Sequence, residues 1–137
     1  MKIAKEFKWE MGHRLPEHFG QCKNIHGHSY KMRIELEGEP DESGMVMDYY
    51  ILEKIIQPVI EKLDHAFLVY REDKEVIAFL DNLNSKKVVV DFQSTVENLV
   101  SYFLAELSNS KFPENVKAVS VRVHETADDF AEDSIKL

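Results

Sequence analysis

The chain has 137 residues, 44% of them hydrophobic and 31% charged, enough for one domain with a sizeable core and without low-complexity stretches. Its net charge of -8 argues against nucleic acid or an anionic membrane surface as the main partner. A single cysteine rules out an internal disulfide framework, no apolar run reaches the roughly 18 residues of a membrane span, and Met1 to Glu6 lacks the apolar core of a signal peptide; the expected location is the cytoplasm.

Taken in chain order, the first predicted element is a strand. Ile3, Phe7, Trp9 and Met11 hold odd positions with Glu6, Lys8 and Glu10 between them, the period-2 alternation of a half-buried strand, and His13 extends the apolar face. From His26 the alternation returns on even positions: His26, His28, Tyr30, Met32, Ile34 and Leu36, opposite Gly27, Ser29, Lys31, Arg33, Glu35 and Glu37. His26 and His28 therefore project the same way, roughly 7 Å apart along the strand. If the two strands pair across the loop from Arg14 to Ile25, three histidines meet at one spot. Three neutral imidazoles with an open fourth position form the catalytic type of zinc site. Buried among Trp9, Tyr30 and Met32 without partners, each imidazole would cost about 1 to 3 kcal/mol, and a metal removes that cost.

Gly38 to Gly44 has the composition of a turn, and Asp48 is placed to cap a helix whose stripe is Leu52, Ile55, Ile56, Val59, Ile60 and Leu63. Pro58 lies inside that helix and is expected to kink it without breaking it. A second helical pattern runs from Asp73 through Val76, Ile77, Leu80 and Leu83, and Lys87 to Phe92 reads as a short strand. Ser94-Thr-Val-Glu97 has capping-box spacing ahead of a helix with Val96, Leu99, Val100, Phe103, Leu104 and Leu107 on one face, ended by Asn109, Ser110 and Pro113. The last predicted strand alternates Val119, Val121 and Val123, and Glu125 continues its apolar face. The order of elements predicts one α+β domain over residues 1–137, with helices covering one face of an antiparallel sheet.

Four further residues draw attention as chemistry. Cys22 precedes His26 by four residues in a polar loop that also holds Lys23, surroundings that favour a thiolate. It could be a fourth zinc ligand, a nucleophile or a general base. Asp64 and His65 close the first helix, where a histidine is favoured by the dipole and could also act as a general acid or base; adjacent helical residues seldom face each other, so the pair need not touch. Glu125 is a carboxylate on a valine face, costly to bury unless a ligand with N–H donors pairs with it. His18 and His124 are read as structural. Arg14, Lys23, Lys31 and Arg33 stand against Glu17 alone between residues 11 and 33, a local balance that suits an anionic substrate.

Taken together, His13-Arg14-Leu15, Cys22-x3-His26-Gly27-His28, Leu63-Asp64-His65, Thr95-Val96-Glu97-Asn98 and His124-Glu125-Thr126 resemble the 6-pyruvoyl-tetrahydropterin synthase family across nearly the whole chain. The three residues between Cys22 and His26 resemble its bacterial 6-carboxy-tetrahydropterin synthase branch. The resemblance implies Zn2+ on His13, His26 and His28, Cys22 as general base, Asp64 and His65 as a proton relay, Glu125 anchoring the pterin ring, and Thr95 among the substrate contacts. It implies a tunnelling fold whose sheets join into barrels in a homo-oligomer, a hexamer of two trimers, with sites at subunit interfaces. The implied activity converts 7,8-dihydroneopterin triphosphate to 6-carboxy-5,6,7,8-tetrahydropterin with release of acetaldehyde and triphosphate, in 7-deazaguanine and queuosine biosynthesis. A pyruvoyl-type synthase and a non-catalytic zinc or pterin-binding module are the alternatives.

Overall fold

The computed structural model describes all residues 1–137. Strand β1 (Lys2–His13) and strand β2 (His26–Gly38) form the expected antiparallel hairpin, in a register that sets Trp9 opposite Tyr30 and His13 opposite His26. Helix α1 (Tyr49–Leu63) follows, capped by the Asp48 carboxylate, which accepts from the Tyr50 N–H at 2.8 Å. It runs unbroken through the exposed Pro58. Strand β3 (Ala66–Tyr70), helix α2 (Lys74–Asn82) and strand β4 (Lys87–Val90) come next, then helix α3 (Val96–Ser108) and strands β5 (Val116–His124) and β6 (Phe130–Lys136).

The six strands lie in one sheet in the order β4-β3-β1-β2-β5-β6. The sheet is mixed, not antiparallel throughout. β1 pairs parallel with β3, and β3 parallel with β4; in the second pair helix α2 is the crossover that returns the chain to the same end of the sheet. The helices likewise occupy both faces. α1 and α3 bury Leu52, Ile56, Ile60, Leu99, Phe103 and Leu107 against Trp9, Met32, Ile34 and Val121 in the main core. On the other face, α2 packs Val76 and Leu80 on Phe67 and Val69. A strand covered on both sides needs no alternation, and β3 reads Ala-Phe-Leu-Val-Tyr. β6 escapes sequence reading for the opposite reason: it is a largely polar edge strand in which only Ala131 and Ile135 pack on the core.

The cap of α3 shifts by one residue from its predicted place. Thr95, not Ser94, caps the helix, accepting from the Asn98 N–H at 3.3 Å. Ser94 is buried and turned the other way, toward the end of β1.

Candidate active site

His13, His26 and His28 end the paired strands on the core-side face, and one nitrogen of each lies within 4.8 Å of the other two. The hairpin register brings them together. The glycine between His26 and His28 eases the strand pairing there, since a Cβ on Gly27 would stand 3.1 Å from the Met11 carbonyl oxygen, a tight contact.

Each of two rings is held by its far nitrogen. His13 Nδ1 donates to the Ser94 carbonyl at 2.8 Å, with the Ser94 hydroxyl at 3.1 Å, and His26 Nδ1 donates to the Asn24 carbonyl at 2.6 Å. A carbonyl only accepts, so both rings carry their proton on Nδ1 and present a bare lone pair at Nε2. Those two Nε2 atoms face each other at 3.1 Å, a contact that cannot be a hydrogen bond between neutral rings. His28 Nε2 is buried without a hydrogen-bond partner. Burial pushes the pKa of His13 down to about 4 and also lowers that of His28, against the pull of the Glu125 charge; neutral imidazoles are what a metal requires. Converging lone pairs, an orphaned nitrogen and an all-imidazole donor set fit a zinc-type ion.

Glu125 leaves the end of β5 and brings Oε1 to 3.3 Å from His13 Nε2 and 3.7 Å from His28 Nε2. Cys22 sits half-buried in a single 3-10 turn (Gln21–Lys23), whose Cys22 carbonyl accepts from the Leu15 N–H at 2.8 Å. The Tyr30 phenol, stacked on Trp9 with ring centroids 5.2 Å apart, has its pKa pushed far up, chiefly by burial.

Asp64 and His65 do touch, contrary to the expectation for helical neighbours. The helix ends at Leu63, His65 takes φ +56°, and its Nδ1 meets Asp64 Oδ1 at 3.0 Å. The same carboxylate oxygen accepts from the Glu10 N–H at 2.9 Å, which holds Asp64 below the usual carboxylate range. The pair makes no hydrogen bond or ion pair with the three histidines. His65 is 76% exposed and lines a cleft of about 430 Å³ with Glu10, Ser29, Phe67 and Lys86. Thr95 uses its hydroxyl as the α3 cap. His124 rests against Phe130, and His18 Nδ1 accepts from the Gly20 N–H.

Two contributors play parts that the sequence did not assign to them. Ser94 fixes the His13 tautomer from 81 positions away. Arg14, next to His13 and expected to attract an anionic substrate, instead forms two 2.7 Å bonds to Asp73, the cap of α2, and so ties the histidine-bearing end of β1 to that helix.

The sequence profile described as 6-pyruvoyl tetrahydropterin synthase matches residues 2–134. A Haemophilus influenzae protein named 6-carboxy-5,6,7,8-tetrahydropterin synthase is 36% identical, with 96% of each chain covered. A Pyrococcus abyssi protein with the same name, qualified as putative, is 32% identical over 98% of this chain and 88% of its own. Among solved structures, 6-pyruvoyl tetrahydropterin synthase from Plasmodium vivax superposes with a TM-score of 0.79 at 20% identity, covering 100% of this chain and 98% of that one, which speaks for the fold. With the family profile spanning almost every residue and the three histidines meeting where its hairpin closes, this chain belongs to the 6-pyruvoyl tetrahydropterin synthase family.

Proposed function

We propose that the chain is a 6-carboxy-5,6,7,8-tetrahydropterin synthase, a zinc-dependent lyase that takes 7,8-dihydroneopterin triphosphate to the carboxy-tetrahydropterin, releasing acetaldehyde and triphosphate on the route to 7-deazaguanine bases. The observation that carries this reading is the convergence of the His13, His26 and His28 nitrogens in a chain that aligns nearly end to end with relatives bearing that name.

In this reading His13, His26 and His28 hold the ion, whose bound form supplies a Lewis acid for the oxygens of the substrate side chain. Glu125 accepts from N–H groups of the pterin ring, a charge-assisted pairing that fixes the ring and leaves the side chain one direction in which to lie. Cys22 Sγ, from the loop that joins the two histidine strands, takes the proton from the side chain. His65, oriented by Asp64, returns a proton. Its position at an exposed cleft, without contact to the histidine cluster, supports delivery of this pair by a second copy of the chain. Both outer strands of the sheet, β4 and β6, have one unpaired edge, which suits sheets joined edge to edge in a homo-oligomer, proposed as a hexamer of two trimers.

The test is direct. Zinc-loaded protein incubated with 7,8-dihydroneopterin triphosphate yields acetaldehyde and a carboxy-tetrahydropterin by mass spectrometry, and Cys22→Ala keeps its zinc while turnover falls by at least about 100-fold. A pyruvoyl product assigns the triphosphate-eliminating reaction instead, and a Cys22→Ala protein with normal turnover removes Cys22 as the base.

A further inference from the structure

Glu125 presents an electrostatic problem that anchoring a pterin ring does not solve. Its carboxylate is only 21% exposed, and no N–H or O–H of the chain donates to it; the backbone N–H alone is engaged, to Asp129 O at 3.2 Å. What Oε1 faces is His13 Nε2 at 3.3 Å and His28 Nε2 at 3.7 Å. His13 cannot donate there, because its proton is committed at Nδ1 to the Ser94 carbonyl. His26 Nε2, equally bare, stands 3.1 Å from His13 Nε2. The bare His13 and His26 nitrogens and the carboxylate are acceptors drawn together without a donor between them, an arrangement that a cation relieves. Oε1 stands at close to ligand-to-ligand spacing from two of the three histidines, since ligand atoms at about 2.0 to 2.2 Å from a tetrahedral zinc stand about 3.3 to 3.5 Å apart, and a turn of the carboxylate toward His26 would complete the set.

We infer that Glu125 is the fourth ligand of the metal in the substrate-free protein, and that a pterin ring draws it away and so opens the fourth position to the substrate side chain. The inference rests on the synthase reading for its second half and on geometry alone for its first. A pterin ring that pairs its N–H donors with both oxygens of this carboxylate competes with the ion for Oε1, so the two uses alternate. The ion is fully coordinated while the site is empty of substrate. Its open position appears only once the ring has displaced the carboxylate.

Cobalt(II) loaded in place of zinc reports the ligand set by its visible absorption. Glu125→Gln and Glu125→Ala are each expected to alter the bands of the substrate-free protein and to raise the metal Kd, read by chelator competition, by about 10- to 100-fold. Unsubstituted pterin, a ring without the reacting side chain, is expected to shift the wild-type bands toward those of Glu125→Ala and to leave the bands of that variant unchanged. Unaltered bands in both variants, with Kd changed by less than about twofold, would overturn the fourth-ligand role. Altered variants in a wild type that ignores pterin would overturn the exchange. Either failure is separate from the synthase reading, which stands or falls on the products formed by the zinc protein.

Discussion

His65 occupies the position after the helix cap where a chain turning into the left-handed region usually places glycine. A residue with a Cβ at φ +56° costs on the order of 1 kcal/mol there. The return is contact: the turn swings the ring back onto Asp64, which Glu10 already holds in place. Strain of this kind persists where a side chain is needed. His65→Gly is therefore expected to raise the unfolding free energy by about 0.5 to 1 kcal/mol in urea titration while turnover falls by at least about 100-fold; a glycine variant that is both more stable and fully active would remove His65 from the reaction. At this scale the sequence was legible where a motif spans few residues. His13, His26 and His28 lie on faces that period-2 alternation exposes. Ser94 was legible only as a candidate cap, because its bond to His13 depends on how α3 meets the sheet.

Among the elements, the joint between β1 and α2 depends on one ion pair. Asp73 is almost fully buried, caps α2 and takes two bonds from Arg14, whose guanidinium holds the carboxyl below the usual aspartate range. A depressed native pKa means that the unfolded chain binds the proton more readily, so the stabilisation is present above the ordinary aspartate pKa and is lost as pH falls through the native one. Asp73→Asn keeps a competent cap and loses the charge. Chemical denaturation is expected to find it about 1 to 3 kcal/mol less stable than wild type at pH 7, with the difference vanishing at acid pH; a gap independent of pH would mean that packing, not charge, makes the joint. The elements themselves divide by how they are covered. α1, α3, β1, β2 and β5 bury one face each and announce it in the sequence. β3 is buried on both faces, and helix α2 covers the side where no helix was expected, because only tertiary contact shows which face a crossover helix takes.

For the whole molecule, the separation of Cys22 from the Asp64 and His65 pair turns assembly into a test of chemistry. If each site takes Cys22 from one copy and His65 from another, two inactive proteins complement. Equimolar Cys22→Ala and His65→Ala, unfolded together and refolded, are expected to recover activity in about a quarter of their sites by random assortment, while the same proteins mixed after folding recover none. Absence of recovery in a correctly sized oligomer would place both residues in one copy. The mixed sheet, the helices on its two faces and the free edges of β4 and β6 were only partly foreseeable, since strand order follows from which connections cross over, and that is decided by packing.

All three histidines fall within the first 28 residues, on one hairpin, while the Ser94 carbonyl that fixes the His13 tautomer and the Glu125 carboxylate lie far downstream. During synthesis the chelating hairpin therefore leaves the ribosome well before the groups that rigidify it. At that stage the Asn24 carbonyl is already at hand for the His26 ring, whereas His13 gains its Ser94 partner only when the last third of the chain arrives and folds. A chain truncated before α3 keeps the three histidines and loses the carbonyl that sets the tautomer of the first of them.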